Sequence, residues 1–381
     1  MGKKSNVMKI LFVIDTYKSN NNGTSVSARR FADELRRRWH KVKVLCVGES
    51  GDEVYGVSEL RIPVFDGLIK KHDFTFGRND QKTIRRAVEW ADVVHCYMPF
   101  ALEYHARTMS EKLHKPCTAA FHIQPQNLTS SVNMGKIDWV NDIFYDSFRL
   151  FIYRHHTHIH VPSKFMADEI EKRGYNANIH VISNGIDSDF VYTKRPKAPE
   201  YCGKTLVMMI GRLAGEKRQD VLINAVKYSK HADDIQLVFA GHGPKQKEYE
   251  QLGRQLKNPP EFGYFTKHEL IELLSQCDLY AHASDMESEA IACLEAMSTG
   301  LVPVIANSEM SATPQFALDG RSLFKPGSPK DLARAMDYWL DNPNEREQME
   351  QRYAAFAKGF SLEESVSKFE EMLNEAVCEM A

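Results

Sequence analysis

The stretch MKILFVID, residues 8–15, is an apolar run with one lysine inside it and an aspartate at its end. A strand that is covered on both faces, as in a parallel sheet flanked by helices, needs such a run, whereas a half-exposed strand alternates. The polar, glycine-containing loop TYKSNNNGTS, residues 16–25, follows it directly. The stretch therefore predicts the first strand of a buried parallel sheet.

The residues after this loop predict a helix, because apolar residues recur there at helical spacing. These residues are Ala28, Phe31, Ala32, Leu35, Trp39 and Val42. Further strand-like segments follow at intervals: VKVLCVG (42–48), DVVHCY (92–97), CTAAFHI (117–123) and HIHVPS (158–163). Alternation of strands with helices predicts an α/β fold with a doubly wound parallel sheet.

The same pattern restarts after a polar, proline-containing segment, VYTKRPKAPEYCGK (191–204), which is typical of a linker. Its strand-like segments are TLVMMIG (205–211), IQLVFAG (235–241), PEFGYF (260–265), DLYAHAS (278–284) and VPVIAN (302–307). We therefore expect two Rossmann-like domains, residues 1–195 and 196–360, that face each other across a cleft. A final amphipathic helix, residues 361–381, should pack back onto the first domain through Val366, Phe369, Met372, Leu373 and Val377.

The composition is that of a globular protein: 381 residues, 43% hydrophobic and 26% charged. No apolar run approaches the roughly 18 residues that a membrane-spanning helix needs. The seven cysteines are scattered and form no CxxC pair, which favours reduced thiols in a cytoplasmic protein and argues against a structural zinc site. Residues 1–190 carry 27 Lys+Arg against 22 Asp+Glu, so the first half is basic and the second acidic.

Two loops at strand ends could hold a phosphate, since ligands bind at the carboxyl ends of strands in such sheets. The first contains Gly23, just before the first helix, where the backbone can approach an anion. The second is GRLAGEKRQD (211–220), in which Arg212 and Lys217 could clamp a diphosphate. A simple turn and a solvated basic loop are the alternatives.

Three other constellations are weaker. Asp187 and Asp189 have a spacing that can bind Mg²⁺, but a turn explains them better. His156, His158 and His160 could bind a transition metal, but packed or surface histidines are favoured because no carboxylate is near in sequence. His122 ends a strand where the cleft is expected and could contact either ligand or core.

The segment ESEAIACLEA, residues 287–296, places Glu287 in a loop above the predicted sheet and Glu295 about two turns into a helix. Unpaired carboxylates are costly to bury. Sugar hydroxyls are suitable partners for them, and the start of the helix offers a partial positive charge to an anion. The two glutamates, with Arg212 and Lys217, therefore suggest a nucleotide diphosphate sugar as ligand.

Several motifs in this order resemble the GT-B glycosyltransferases of glycosyltransferase family 4. They are the early glycine loop, VISNGID (181–187), GRLAGEK (211–217), FAGHGP (239–244) and ESEAIACLEAMSTGLVPV (287–304). The resemblance covers nearly the whole chain and is most specific in residues 205–305. It implies retaining hexosyl transfer from a nucleotide diphosphate sugar such as UDP-glucose or UDP-galactose, with no metal and no cofactor.

The resemblance also implies roles for individual residues. Glu287 contacts hydroxyls of the donor sugar, Glu295 contacts the ribose, and His122 lies beside the donor sugar, with His122 and Glu287 as the catalytic pair. Arg212 and Lys217 bind the diphosphate, and the Gly23 loop meets the phosphates from the other domain. The donor-sugar segment Glu289, Ala290 and Ile291 departs from the family, which commonly has Phe-Gly at the first two positions.

The first domain should bind the acceptor, and its basic residues cluster on and after one helix: Arg29, Arg30, Arg36, Arg37, Arg38, Lys41 and Lys43. Residues 139–153, WVNDIFYDSFRLFIY, are rich in aromatic side chains and predict either an interfacial helix or a core stripe. The segments FHIQPQN (121–127) and SATPQFALDGRSLF (311–324) resemble the glycolipid-forming branch, such as diacylglycerol glycosyltransferases.

We therefore expect a membrane-lipid acceptor, diacylglycerol or a sphingolipid, and an enzyme that is peripheral on the inner, anionic face of the cell membrane. No nucleic acid partner is expected. A glycosyltransferase for a polysaccharide or a small molecule would share the donor-site features. A sugar-nucleotide epimerase and a non-catalytic nucleotide-sugar-binding protein are the alternatives from other classes.

Overall fold

A computed structural model describes residues 7–19, 23–60, 75–129 and 137–380. By its internal contacts the chain forms two compact units. Unit 1 consists of Met1–Gly185 with Leu362–Ala381, and unit 2 is Ile186–Ser361. The boundary expected from the sequence lies at residue 195, within the polar segment 191–204, whereas unit 2 begins at Ile186.

Unit 1 contains a parallel sheet of seven strands in the order β3-β2-β1-β4-β5-β6-β7. Its strands are β1 (Lys9–Val13), β2 (Lys41–Val47), β3 (Val54–Val57), β4 (Val93–Cys96), β5 (Cys117–Ala120), β6 (His158–Val161) and β7 (Asn178–Val181). Its helices are α1 (Gly23–Arg37), α2 (Gln81–Trp90), α3 (Ala101–Lys112), α4 (Pro125–Thr129), α5 (Asp138–Phe151) and α6 (Lys164–Glu171), with α13 (Leu362–Met380) from the end of the chain.

Unit 2 contains a parallel sheet of six strands in the order β10-β9-β8-β11-β12-β13. Its strands are β8 (Thr205–Ile210), β9 (Ile235–Ala240), β10 (Glu261–Gly263), β11 (Leu279–His282), β12 (Pro303–Ala306) and β13 (Leu323–Phe324). Its helices are α7 (Gln219–Val226), α8 (Gln246–Gly253), α9 (Lys267–Leu274), α10 (Ile291–Ser298), α11 (Pro329–Asp341) and α12 (Pro343–Ala357).

The prediction of doubly wound parallel sheets is confirmed. In both sheets the strand order reverses beside the first strand, so that β4 and β11 lie on the opposite side from β2 and β9. The carboxyl ends of strands at such a reversal form a crevice in which α/β proteins bind ligands. The apolar run 8–15 behaves as expected, because Ile10 to Val13 are fully buried within β1.

The prediction for the end of the first helix was wrong. The helix ends at Arg37, Trp39 is 81% exposed with a left-handed backbone (φ 73°), and Val42 belongs to β2. The backbone N–H of Met8 donates to Nδ1 of His40 over 3.1 Å, which ties the turn to the start of β1. The helical spacing of Trp39 and Val42 continues past the turn by coincidence.

Helix α13 packs against the sheet and α1 of unit 1. Val366, Phe369, Met372 and Leu373 are fully buried on this face, and Val377 is partly buried against the same cluster. Two charged contacts fix the register of the helix: Glu370 accepts from Arg38 over 2.6 Å and lies 2.7 Å from Nε2 of His40. Among the described residues, no helix is long and apolar enough to cross a membrane.

Candidate active site

The loops after β8 and β9 cross each other closely in unit 2, and glycines make this crossing feasible. The N–H of Leu213 donates to the carbonyl of His242 over 2.9 Å. A Cβ atom on Gly241 would lie 2.2 Å from the carbonyl oxygen of Gly211, and one on Gly243 would lie 2.2 Å from that of Leu213. The GRLAGEK and FAGHGP motifs are therefore parts of one packed loop pair.

Three charged or polar side chains of unit 2 lie together, and we call them the Glu287 cluster: Lys217, His282 and Glu287. Nζ of Lys217 lies 2.5 Å from Oε1 of Glu287, and Nε2 of His282 lies 3.1 Å from the same oxygen. Lys217 closes the short 3-10 turn Gly215–Lys217, His282 ends β11, and Glu287 follows in the next loop. The side chain of Glu287 is only 13% exposed.

Glu287 is held in its ionised form. Burial opposes ionisation, but Lys217 and His282 outweigh it and hold the pKa of the carboxyl well below its usual range. The backbone of Glu287 is also fixed, since its carbonyl accepts from the N–H of Ala312 over 2.8 Å. A rigid, ionised carboxylate in such a place is a strong hydrogen-bond acceptor.

The other basic residue of this loop, Arg218, has a different setting. Its guanidinium donates to Asp220 over 3.1 Å and to the buried Asp285 over 3.3 Å. Arg218 itself has a left-handed backbone (φ 56°) and precedes the first residue of α7. Its charge is therefore balanced within the unit. Arg212 lies two residues after the end of β8 and is partly exposed, and its backbone carbonyl accepts from the side-chain amide of Gln219 over 2.9 Å.

The segment leading into α10 contains three of the predicted donor-binding residues. Glu289 is buried, Ala290 is buried with a left-handed backbone (φ 71°, ψ 55°), and Ile291 is the first residue of the helix. Glu295 lies within α10 and is also buried. A left-handed backbone favours glycine, because glycine has no Cβ atom. Ala290 stands where the family commonly has that glycine, so its backbone is strained.

In unit 1, His122 is buried two residues after the end of β5. Its Nε2 lies 3.4 Å from Nδ1 of His160, whose own Nε2 lies 2.8 Å from the carbonyl oxygen of Ile182. Because a carbonyl only accepts, His160 carries its hydrogen on Nε2 and accepts from His122 at Nδ1. Burial, with His160 nearby, lowers the pKa of His122 well below its usual range, so the ring is neutral at physiological pH.

Gly23 is the first residue of α1 and is exposed, and among the described residues no atom beyond its chain neighbours and its own helix backbone lies within 4 Å of where its Cβ would be. The three asparagines before it lie outside the described residues. Since Gly23 and His122 belong to unit 1 and the other candidates to unit 2, the structure groups the site residues into two sets. The assignments of individual residues to donor groups stay predictions.

Sequence reasoning missed His282. His282 stands at the end of a strand-like segment, DLYAHAS, as His122 does in its own segment. The contact of His282 with Glu287, however, depends on the conformation of the loop between them. The Asp187 and Asp189 pair forms the expected turn, in which the N–H of Asp189 donates to Asp187 over 3.1 Å. Lys267 bridges the two carboxylates.

On the predicted acceptor side, much of the basic cluster is neutralised within unit 1. Arg36 pairs with Glu53 over 2.9 Å, Arg37 pairs with Glu34 over 2.9 Å, and Arg38 pairs with Glu370. Lys43 lies over the rings of Tyr55 and Trp90.

The aromatic segment is only partly covered. Val140 and Tyr145 are buried, whereas other apolar side chains of the same helix, which we call the α5 apolar face, are exposed. This face consists of Trp139 (65% exposed), Ile143 (55%), Phe144 (38%), Leu150 (43%) and Phe151 (66%). The core interpretation of this helix therefore applies to Val140 and Tyr145, and the interfacial interpretation applies to the exposed side chains.

Two family models match the chain. Residues 21–190 match the model described as Glycosyltransferase Family 4, and residues 191–355 match the model described as Glycosyl transferases group 1. The two matches are consecutive and together take in nearly the whole chain, including every candidate site residue.

Two characterised relatives are similar over most of their length. A GDP-mannose-dependent alpha-mannosyltransferase of Corynebacterium glutamicum is 24% identical over 319 residues, which cover 78% of this chain and 72% of the relative. An alpha-monoglucosyldiacylglycerol synthase of Streptococcus pneumoniae is 22% identical over 320 residues, covering 79% and 71%.

Two solved structures are also similar. The catalytic domain of cholesterol-alpha-glucosyltransferase from Helicobacter pylori is 49% identical, and the match covers 41% of this chain and 99% of that one at a TM-score of 0.38. Anabaena Alr3699/HepE in complex with UDP-glucose is 17% identical over 97% of this chain and 100% of that one, with a TM-score of 0.73, and so shows the shared GT-B fold. The protein belongs to glycosyltransferase family 4, resembles its glycolipid-forming members, and is a hexosyltransferase that uses a nucleotide sugar.

Proposed function

We propose that this glycosyltransferase transfers glucose or galactose from a UDP-sugar to a membrane lipid, diacylglycerol or a sphingolipid, with retention of the anomeric configuration. The observation that carries the proposal is the Glu287 cluster, which places an ionised hydrogen-bond acceptor against a cation at the reversal of the sheet. The hydroxyls of a sugar can donate to the carboxylate of Glu287, and the negative charge of a diphosphate suits the ammonium group of Lys217.

The cluster suggests how the donor is bound. The ammonium group of Lys217 is paired with the carboxylate of Glu287. An arriving diphosphate would share the lysine with the carboxylate, and the sugar hydroxyls would then donate to Glu287. Arg212 lies in the same loop and adds a planar fork that suits phosphate oxygens.

Lys217 and Arg212 then promote the transfer step chiefly by electrostatic stabilisation. As the bond between the anomeric carbon and the phosphate oxygen breaks, negative charge develops on the leaving diphosphate, where Lys217 and Arg212 stabilise it. The acceptor hydroxyl attacks from the same face, forms the new glycosidic bond and gives its proton to the leaving phosphate. His122, neutral and hydrogen-bonded to His160, can orient the sugar by hydrogen bonding but adds no charge.

Two features support a lipid acceptor. The α5 apolar face exposes large aromatic and aliphatic side chains on the unit expected to bind the acceptor. A relative over most of the chain is named as a monoglucosyldiacylglycerol synthase. Support for attraction to anionic lipid is weaker, because the basic cluster of unit 1 is largely paired internally.

The donor is tested with a panel of UDP-glucose, UDP-galactose and GDP-mannose, the last because a relative is named for it. Each is incubated with vesicles that contain diacylglycerol, ceramide or a sterol, and products are identified by mass and by the anomeric coupling in NMR. We expect an α-linked hexolipid from a UDP-sugar. No transfer to diacylglycerol or ceramide, or a product with the inverted anomer, would contradict the proposal.

Variants separate the proposal from the other classes of function. Glu287→Gln should lower kcat/KM about 10- to 100-fold, the cost of losing a hydrogen bond to a charged group. The control is Glu347→Gln, which changes an exposed glutamate on α12 of the same unit. An epimerase would convert the donor without any acceptor, and a non-catalytic binding protein would show UDP binding but no turnover to impair.

A further inference from the structure

At the edge of the unit 1 sheet, two histidines and two glutamates come together far from the Glu287 cluster in sequence. His158 lies in β6 and His180 in the edge strand β7, and they share a face of the sheet because His160, two residues after His158, pairs with His180 in register. Glu375 and Glu379 lie one turn apart on α13, so both project from the same side of the helix.

The distances between three of these groups are those of a metal site. Nδ1 of His158 lies 2.9 Å from Nε2 of His180, and the nearer oxygen of Glu375 lies 3.9 Å from the first nitrogen and 3.8 Å from the second. A point equidistant from three such atoms lies about 2.1 Å from each. This equals the usual bond length from zinc to imidazole nitrogen or carboxylate oxygen, about 2.0–2.2 Å.

The second nitrogen of His158 supports this interpretation. Its Nε2 lies 2.9 Å from Oε2 of Glu379, and since the carboxylate accepts, the hydrogen must be on Nε2. Nδ1 therefore presents its lone pair toward His180 and Glu375. A ligating histidine that donates its other N–H to a carboxylate is the usual arrangement around protein-bound zinc.

The exposure of the three ligand side chains allows an ion to reach them. The side chain of His158 is fully buried, that of His180 is 20% exposed and that of Glu375 is 57% exposed, so an ion can enter from solvent on the glutamate side.

A hydrogen bond from Nε2 of His180 to Nδ1 of His158 would also explain the 2.9 Å separation. It does not explain why the carboxylate of Glu375 stands at nearly equal distances from both nitrogens, each too long for a hydrogen bond. The two interpretations require different tautomers of His180, with the hydrogen on Nε2 in one and on Nδ1 in the other.

We infer that His158, His180 and Glu375 bind one divalent transition-metal ion, with zinc the best fit, and that Glu379 supports His158 from the second shell of atoms around it. Two imidazoles and a carboxylate suit zinc better than the oxygen-seeking Mg²⁺ or Ca²⁺. The fourth position is left to water. The ion joins the last turns of α13 to the edge of the sheet and takes no part in sugar transfer.

The full-length protein tests this after removal of metals with EDTA. Zn²⁺ is titrated by calorimetry, and retained metal is counted by mass spectrometry after gel filtration. We expect one equivalent of zinc and, at 100 times the Kd, a rise in Tm of about 5 °C or more. Mg²⁺ should cause neither.

Variants locate the ion. Glu375→Gln and His180→Gln should each weaken zinc binding more than tenfold, and Glu379→Gln about 10- to 100-fold, as second-shell changes do. Glu371→Gln is the control, since Glu371 is exposed one turn earlier on the same helix. Circular dichroism of the zinc-free variants should match the parent chain, because the changed side chains are partly exposed.

Two outcomes would overturn the inference. One is the absence of a stoichiometric zinc equivalent in the parent chain. The other is equal zinc affinity in the parent, Glu375→Gln and His180→Gln proteins, which would place bound zinc elsewhere. In either case ¹⁵N shifts of His180 should show the hydrogen on Nε2, as for a simple histidine pair.

Discussion

Among single residues, Glu287 shows most clearly how a buried charge is stabilised. Burial alone would raise its pKa, but Lys217 and His282 outweigh that cost and lower the pKa below its usual range. A carboxyl whose folded pKa is depressed contributes stability above its unfolded pKa, about 4.3, and loses this contribution as the pH falls toward the folded value.

Glu287→Gln should therefore reduce the free energy of unfolding by about 2 kcal/mol at pH 7, as expected for a hydrogen bond to a charged group. The difference between the parent and the variant should narrow as the pH is lowered below about 4.3. Urea unfolding at pH 7, 5, 4 and 3 measures it, with Glu347→Gln as the matched control. A constant difference across this range would show that the ion pair is not its source.

Ala290 carries a left-handed backbone immediately before α10. Side chains with a Cβ are strained there, whereas glycine is not. Ala290→Gly should therefore raise the free energy of unfolding by about 1 kcal/mol. Ala292→Gly, two residues later inside the helix, should instead lower it by about 1 kcal/mol. If urea unfolding shows both changes to be destabilising, the left-handed conformation is not strained.

The sequence singles out Arg212, Lys217, Glu287 and Glu295 as charged side chains at strand ends and in a small-residue helix. The structure brings two of them, Lys217 and Glu287, into contact, and the roles of all four stay predictions. The direct ion pair between Lys217 and Glu287 did not follow, because it joins residues 70 positions apart through two loop conformations. The same reason hid His282, which the spacing of the sequence places only at the end of a strand.

At the scale of secondary-structure elements, the crossing of the loops after β8 and β9 constrains the backbone of unit 2. A Cβ on Gly243 would lie 2.2 Å from the carbonyl oxygen of Leu213. Gly243→Ala should therefore force the loops apart and lower stability by about 3 kcal/mol, within the range of severe single substitutions.

The matched control is Gly320→Ala, because within the described part of the chain no atom beyond the two neighbouring residues lies within 4 Å of the position that a Cβ on Gly320 would take. Its stability should stay within about 0.5 kcal/mol of the parent. Thermal unfolding of both variants gives the comparison. Equal stabilities would mean that the loops can separate without cost, and that the glycines of this motif serve another purpose.

The α5 apolar face gives a prediction about membranes. Large apolar side chains on one helix face can enter the interface of a bilayer. A Trp139→Ser, Phe151→Ser double variant should bind vesicles at least about tenfold more weakly in flotation, since each side chain contributes on the order of 1.5–3 kcal/mol when buried. Transfer to a detergent-solubilised acceptor should be unchanged.

Tyr228→Ser is the control for flotation, because Tyr228 is 54% exposed but lies in unit 2. Vesicle binding by this variant should equal that of the parent. If the double variant also floats like the parent, the α5 apolar face does not contact lipid.

The elements that sequence reasoning missed are those with little burial. The interior strands β1, β4, β8 and β9 are long or fully buried apolar runs and were predicted. The edge strands β3 and β7 and the two-residue β13 have exposed or half-buried positions, so their sequences lack that signal. An apolar run reports burial on both faces, which these three strands lack. The edge strand β10, which the segment PEFGYF predicts although its positions are exposed or half-buried, is the exception.

At the scale of the whole molecule, the two units differ in how the chain builds them. Unit 2 is one continuous segment with its own large hydrophobic core. Unit 1 is discontinuous, because α13 returns from the end of the chain to complete its core. The sequence predicted this return from the apolar stripe of the last helix, since five apolar residues at helical spacing need a surface to cover them.

The discontinuity predicts the behaviour of fragments. Val366, Phe369, Met372 and Leu373 are fully buried, and burying each contributes about 1.5–3 kcal/mol. Their sum is comparable to the total stability of a domain, about 5–15 kcal/mol. The fragment 1–185 should therefore fail to fold cooperatively, whereas 186–361 should fold alone.

Circular dichroism and calorimetry of the two purified fragments measure this difference. Addition of a peptide comprising residues 362–381 should restore a cooperative transition to 1–185, because it supplies the missing face of the core and the partner of Arg38. A peptide with Phe369→Ser and Leu373→Ser is the matched control and should not restore it. Cooperative unfolding of 1–185 without any peptide would show that the first sheet holds its core together without α13.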